Sequence, residues 1–196
     1  MKAILNISFV LASLAGIEPM SVPSGEAADP HGSVLRPPDE CGDPRMISQA
    51  YEGRVGTVVS VSTGDTAVVE IRPLILPGGR LVGGERAGRT TVRLVAIDAP
   101  RGSPSAATAR EELAKAILGK EVQIDISPVQ KPTMPLTVML TVGGAPGIDV
   151  AEQLLAKGLV KYRDFGAYAI DWWLRCHYKL AESRAKAAGL GVWAKS

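Results

Sequence analysis

Around Thr91-Val92-Arg93-Leu94-Val95-Ala96-Ile97-Asp98-Ala99-Pro100-Arg101 the rest of the chain is organised. Its first half alternates as an extended strand does, with Val92, Leu94 and Ala96 on one side and Arg93, Val95 and Ile97 on the other. Proline fixes its own φ and cannot donate to a sheet ladder, so Asp98-Ala99-Pro100 ends the strand and turns the chain. An arginine in mid-strand and a carboxylate at the strand's end set a cation and a metal-type ligand beside one cleft. The same residues also fit an edge strand with one solvated arginine. The choice between the two rests on the sequence around them.

Upstream, Val55, Thr57, Val59 and Val61 alternate with Gly56, Val58, Ser60 and Ser62. Thr63-Gly64-Asp65-Thr66 supplies turn chemistry before Ala67–Ile71 resumes a strand, which is a hairpin signal. Between Pro73 and Gly88 lies a glycine-rich connection whose Arg80 and Arg86, with Arg89 just beyond, are solvated or within reach of an anion. Downstream, Ser105 to Leu118 reads as a helix capped by Ser105 and stopped by Gly119. Val122, Ile124 and Ile126 form a fourth strand and Leu136 to Val142 a fifth. Helices are expected at Val150–Leu159 and Ala169–Ala188, the second burying Ile170, Trp173, Leu174, Leu180, Ala181 and Ala185. Five short strands with a helix between the third and fourth, then two helices, is the order of a five-stranded Greek-key barrel of the oligonucleotide-binding type with three α-helices, one α+β option among several that periodicity alone leaves open.

The 196 residues carry 22 Lys and Arg against 20 Asp and Glu, so charge alone does not demand a polyanionic partner. Residues 1–27 have the basic start and apolar middle of a signal peptide, and the apolar run from Ile4 to Ile17 is too short for a membrane span. Residues 28–52 are rich in Pro and Gly and read as a linker or strap, leaving 53–196 as the folded domain. The chain is therefore expected to be exported, to a periplasm or outside the cell, with no stable membrane span in its mature part. Cys41 and Cys176 are its only cysteines, and in an exported protein they form one disulfide or remain two thiols.

Gly64-Asp65-Thr66, Val92-Arg93-Leu94 through Pro100, Gly119-Lys120-Glu121-Val122, Leu155–Leu159 and Glu182–Lys186 with Leu190–Trp193 together resemble the staphylococcal nuclease, or thermonuclease, family. The resemblance spans roughly Gly53 to Trp193. It implies a five-stranded barrel with three helices and calcium-dependent hydrolysis of DNA and RNA. It also implies that Asp65, Asp98 and the Ala99 carbonyl hold the metal and that Arg93 contacts phosphate and the transition state. Calcium takes about 6 to 8 oxygens, so this set alone would bind it weakly.

Three positions depart from the family pattern. The carboxylate expected after the proline, which would orient or deprotonate water, is Arg101, which cannot accept a proton. The second catalytic arginine falls at Met134, with Lys131 nearby as a partial substitute for phosphate contact. Thr63 likewise replaces an acid. The first expectation is therefore a catalytically impaired domain that binds nucleic acid, nucleotide or a protein, with Arg93, Arg101 and Lys131 facing the ligand. The second is an active calcium-dependent phosphodiesterase in which Glu111, Glu112 or a residue of the glycine-rich connection supplies the base. The third is a structural subunit that binds neither metal nor phosphate. Tyr168, Trp172 and Trp173 are either stacking residues or, for Trp173 at least, core. The oligomeric state is left open.

Overall fold

The computed structural model describes residues 39–42, 52–75, 81–82, 87–127, 135–143, 147–164 and 170–194. The expected signal segment, Arg80, Arg86, Lys131, Met134 and Tyr168 lie outside them.

The hairpin forms as its turn chemistry requires. Strand β1 (Glu52–Thr63) pairs antiparallel with β2 (Thr66–Ile71). The register shifts between Val58 and Ser60, so Gly56 and Val58 face inward, Val55 and Val59 are exposed, and Val61 returns to the core. One extra residue in a strand produces this break, and it is why the regular alternation does not survive. Gly56 packs where a Cβ would stand 2.7 Å from the Glu70 carbonyl oxygen. Part of the glycine-rich connection forms a two-residue ladder, β3 (Leu74–Ile75) with β4 (Leu81–Val82). It leads into β5 (Gly88–Leu94), which pairs with β2 and places Arg89 against Glu70 at 3.1 Å.

The expected single strand through Ile97 is instead two. Strand β5 ends at Leu94, and Ala96 takes φ 56°, a left-handed conformation that costs a non-glycine residue roughly 1–2 kcal/mol. The chain then resumes as β6 (Ile97–Asp98). Val95, Ala96 and Ile97 are all buried, which no strand with one wet face would allow.

Helix α1 (Pro104–Ile117) has Ser103 at its N-cap position rather than Ser105, because Pro104 is pre-organised for the first helical position. Ala109, Leu113 and Ile117 bury against the barrel. Strands β7 (Glu121–Ile126) and β8 (Leu136–Val142) follow as expected. The order β5-β2-β1-β7-β8, closed by a parallel pairing of β5 with β8, makes a five-stranded mixed barrel. Its interior holds Val58, Val69, Val92, Ile124, Val138 and Leu140, each at most 1% exposed. A short β9 (Ile148–Asp149) extends β8 and runs into α2 (Val150–Ala156). Strand β10 (Lys161–Tyr162) pairs with β6. Helix α3 (Trp172–Ala187) starts at Asp171, whose carboxylate accepts from the Leu174 N–H at 2.8 Å. A 3-10 turn at Gly191–Trp193 closes the described chain.

Cys41 and Cys176 are joined as a disulfide with Cα atoms 5.7 Å apart. It ties residues 39–42 to α3, where Glu40 also pairs with Arg184 and Asp39 lies 2.9 Å from His177 Nε2. Because Cys41 is consumed by this bond, the Asp39, Cys41 and His177 cluster has no thiolate to offer a metal. Among the described residues no helix is long and apolar enough to cross a membrane.

Candidate phosphate and metal site

Asp65 sits in the turn between β1 and β2, and its position is fixed by close packing behind it. A Cβ on Gly64 would stand 2.7 Å from the Ala109 Cβ and 3.0 Å from the Ala99 Cβ, so only glycine lets the turn settle between α1 and the chain after β6. The Asp65 carbonyl accepts from the Leu94 N–H at 2.9 Å, which locks the turn to β5. Register then brings Arg93 opposite Thr66.

The Asp65 carboxylate is 5% exposed and fully engaged. Its Oδ1 accepts from the hydroxyls of Thr63 at 2.6 Å and Thr66 at 2.9 Å. Its Oδ2 accepts from Arg93 Nε at 3.2 Å and Nη2 at 3.0 Å. Burial pushes the Asp65 carboxyl up, but the two hydroxyls and then the guanidinium outweigh it and hold the group below its usual 3.8. Thr63, where the family pattern has an acid, therefore acts as a donor to Asp65. Arg93 Nη2 also donates to Asp98 Oδ1 at 2.9 Å, so one guanidinium bridges both carboxylates.

The left-handed Ala96 aims Asp98 into this cluster. Its carbonyl accepts from the Arg163 N–H at 2.9 Å, and Lys161 is the ladder partner of Asp98. Arg163 Nη1 reaches to 3.8 Å from Asp98 Oδ1. Lys161 and Arg163 were missed by sequence reasoning, which gave them no element and no role. The apolar pair Leu159-Val160 followed by alternating basic residues was the signal available there.

Beyond Asp98 opens a cavity of about 480 Å³ lined by Asp98, Ala99, Pro100, Arg101, Ser105, Lys161 and Val192. Lys161 Nζ stands 5.1 Å from the centre of the Trp193 ring, and Lys186 Nζ stands 4.4 Å from the same ring. Gly158, at φ +66°, meets the C-terminal turn so closely that a Cβ would fall 2.3 Å from the Leu190 carbonyl oxygen. The Val192 N–H donates to the Gly158 carbonyl at 2.8 Å, fixing that wall.

Arg93, Asp65 and Asp98 thus meet directly, with Ala99 and Arg101 next to them on the cavity wall; Lys131 and Met134 fall outside the described residues. Glu112 is occupied elsewhere, by Lys115 at 2.6 Å and Lys157 at 2.8 Å, which pull its carboxyl down to about 2. Trp173 is buried with its ring 4.1 Å from that of His177, while Trp172 is 46% exposed and abuts Gly42.

Two carboxylates and a backbone carbonyl are hard oxygen donors of the type calcium prefers, but they supply three of the roughly 6 to 8 oxygens it takes. Every acceptor position on Asp65 is already used, half of them by Arg93. A calcium ion fits this set only with the guanidinium displaced.

A closed five-stranded mixed barrel with three helices and an Asp–Arg–Asp cluster at its rim defines a nuclease-type oligonucleotide-binding fold. Residues 91–195 match the family described as staphylococcal nuclease homologue, which is more than half of the chain, and the protein belongs to that family. The match begins at Thr91, so Asp65 joins the site through geometry rather than through the matched segment. No curated protein gives a significant match.

Proposed function

We propose that this is an exported member of the nuclease family whose hydrolytic apparatus is impaired and whose site serves to bind nucleic acid or nucleotide. The observation that carries the reading is Arg101 on the cavity wall beside Asp98. A guanidinium there offers no acceptor for a water proton and adds positive charge. Loss of a general base typically costs about 10² to 10⁴ in rate, and loss of a charge stabiliser, as at Met134, roughly 10² to 10³. A rescuing base is not supplied by Glu112, since a carboxyl held near 2 by two lysines is a poor proton acceptor at neutral pH.

Arg93 holds the two acidic side chains together and Arg101 faces the ligand. Calcium, the usual metal of the family, is a weak ligand here because it competes with Arg93 for Asp65 and Asp98. The disulfide supports export, since such bonds persist in oxidising compartments; the signal-like residues 1–27 point the same way.

The test is incubation of the mature chain with single-stranded DNA and RNA, in calcium and in chelator. Salt-sensitive binding without cleavage is expected, and Arg101→Glu combined with Met134→Arg is expected to raise cleavage from background. Vigorous, chelator-sensitive cleavage by the wild type would overturn the impaired reading.

A further inference from the structure

Resting on the phosphate-binding reading above, we propose that the cavity recognises a terminal phosphomonoester, held between Arg101 and Lys161, in preference to an internal phosphodiester. Arg93 is spent on Asp65 and Asp98, and Arg163 stands against Asp98 as well. Among the described residues, Arg101 and Lys161 line the same cavity and make no ion pair. They come from separate segments, Arg101 from the turn into α1 and Lys161 from β10, so the barrel has to be folded to bring them together.

Charge then selects the ligand. A phosphomonoester carries about −1.5 to −2 at pH 7, its second pKa being near 6, whereas a phosphodiester carries a single negative charge. Two uncommitted cations therefore match a chain end better than a chain interior. Asp98 would repel either anion, but Arg93 and Arg163 both face its Oδ1 and offset its charge. The Ser105 hydroxyl, 2.8 Å from that of Ser103, can donate to a ligand on the wall when Ser103 donates to it. Contact with the Trp193 face restricts the Lys161 side chain before any ligand arrives, which lowers the entropy lost on binding. A volume of about 480 Å³ accommodates a phosphate with part of its nucleoside.

The test compares three single-stranded oligonucleotides of one sequence, bearing a 5′-phosphate, a 3′-phosphate or hydroxyls at both ends, by fluorescence anisotropy in chelator. At least one phosphorylated form is expected to bind about tenfold more tightly than the hydroxyl form, as charge-assisted hydrogen bonds to one further charge would give. Arg101→Gln and Lys161→Gln should each bring that ratio close to one without changing the melting temperature, and Lys161→Arg should keep it. Equal affinity for all three oligonucleotides, or a preference that survives both glutamine variants, overturns this inference while leaving nucleic-acid binding standing. Failure of every oligonucleotide to bind overturns both.

Discussion

Removing the Arg93 side chain should cost this fold more stability than any other single change at the rim. In Arg93→Ala the Asp65 carboxylate keeps its two hydroxyl donors but loses both guanidinium hydrogen bonds and its only paired cation among the described residues. Asp65 is 5% exposed and Arg93 14%, so solvent does little to replace what is lost. Breaking one side of such a buried pair costs about 3 to 5 kcal/mol. Asp98, at 38% exposure, recovers hydration, which favours the lower end of that range. For a domain of this size about 3 kcal/mol lowers the melting temperature by roughly 6 to 12 °C.

The pH dependence makes the test specific. Asp65 has a folded pKa below its usual 3.8, so it contributes stability that is present above that value and lost as pH falls through the folded pKa. Deleting Arg93 removes two of the four influences that hold it down, and the Asp65 pKa in the variant moves up. The gap between wild type and variant should therefore be full at pH 7, narrow as pH falls below about 4, and close only once pH is below the depressed folded pKa, where Asp65 is neutral in both. Urea unfolding of wild type, Arg93→Ala and Arg93→Lys across that range measures it; lysine keeps the charge but not the fork, and should fall between the other two. A gap under about 1 kcal/mol at pH 7, or one that does not change on acidification, would refute the bridging role.

Asp149 should act in the opposite sense. Its buried carboxyl, although it accepts from the Glu152 N–H and the Tyr178 hydroxyl, is pushed up to about 6 by desolvation. A folded pKa above the usual 3.8 means stability is gained as pH falls from above 6 to about 4, by about 2 to 3 kcal/mol. Asp149→Asn should abolish that slope in urea melts and raise stability at pH 7. The Cys41–Cys176 bond closes a separation of 135 residues, so Cys41→Ser or a reductant should lower stability by about 2 to 5 kcal/mol; an unchanged melting temperature would show that residues 39–42 add nothing to the fold.

How far the sequence could be read depended on whether a residue's partners were near it in the chain. Strand β7, with Val122, Ile124 and Ile126 inward, was legible because one face is apolar and no bulge intervenes. The turn at Gly64-Asp65 and the helix stops at Gly119 and Gly158 were legible from local chemistry. The break at Ala96 was not, because alanine gives no local sign of a left-handed backbone; the flanking pairings with β8 and β10 impose it. Tyr178 went unnoticed for a related reason. Its ring is fully buried with its hydroxyl donating to Asp149, 29 residues earlier. At the site, the pattern match named Arg93, Asp65 and Asp98 but could not reveal that they bond to one another, nor that Lys161 would stand beside them.

The presence of Lys161 on the same cavity wall alters what an arginine at position 101 means. In a site built around Asp65 and Asp98 for a divalent cation, a nearby guanidinium repels the ion and is purely a loss. Here Arg93 and Arg163 together already balance those two carboxylates, so the charge of Arg101 falls on the cavity instead. Lys161, delivered by the β6–β10 ladder and steadied by Trp193, adds to it. The loss of a proton acceptor and the gain of a cation are one substitution, and the two consequences separate experimentally. On the proposed reading, catalysis is limited by the proton Arg101 cannot accept, and binding rests on the hydrogen bonds it can donate.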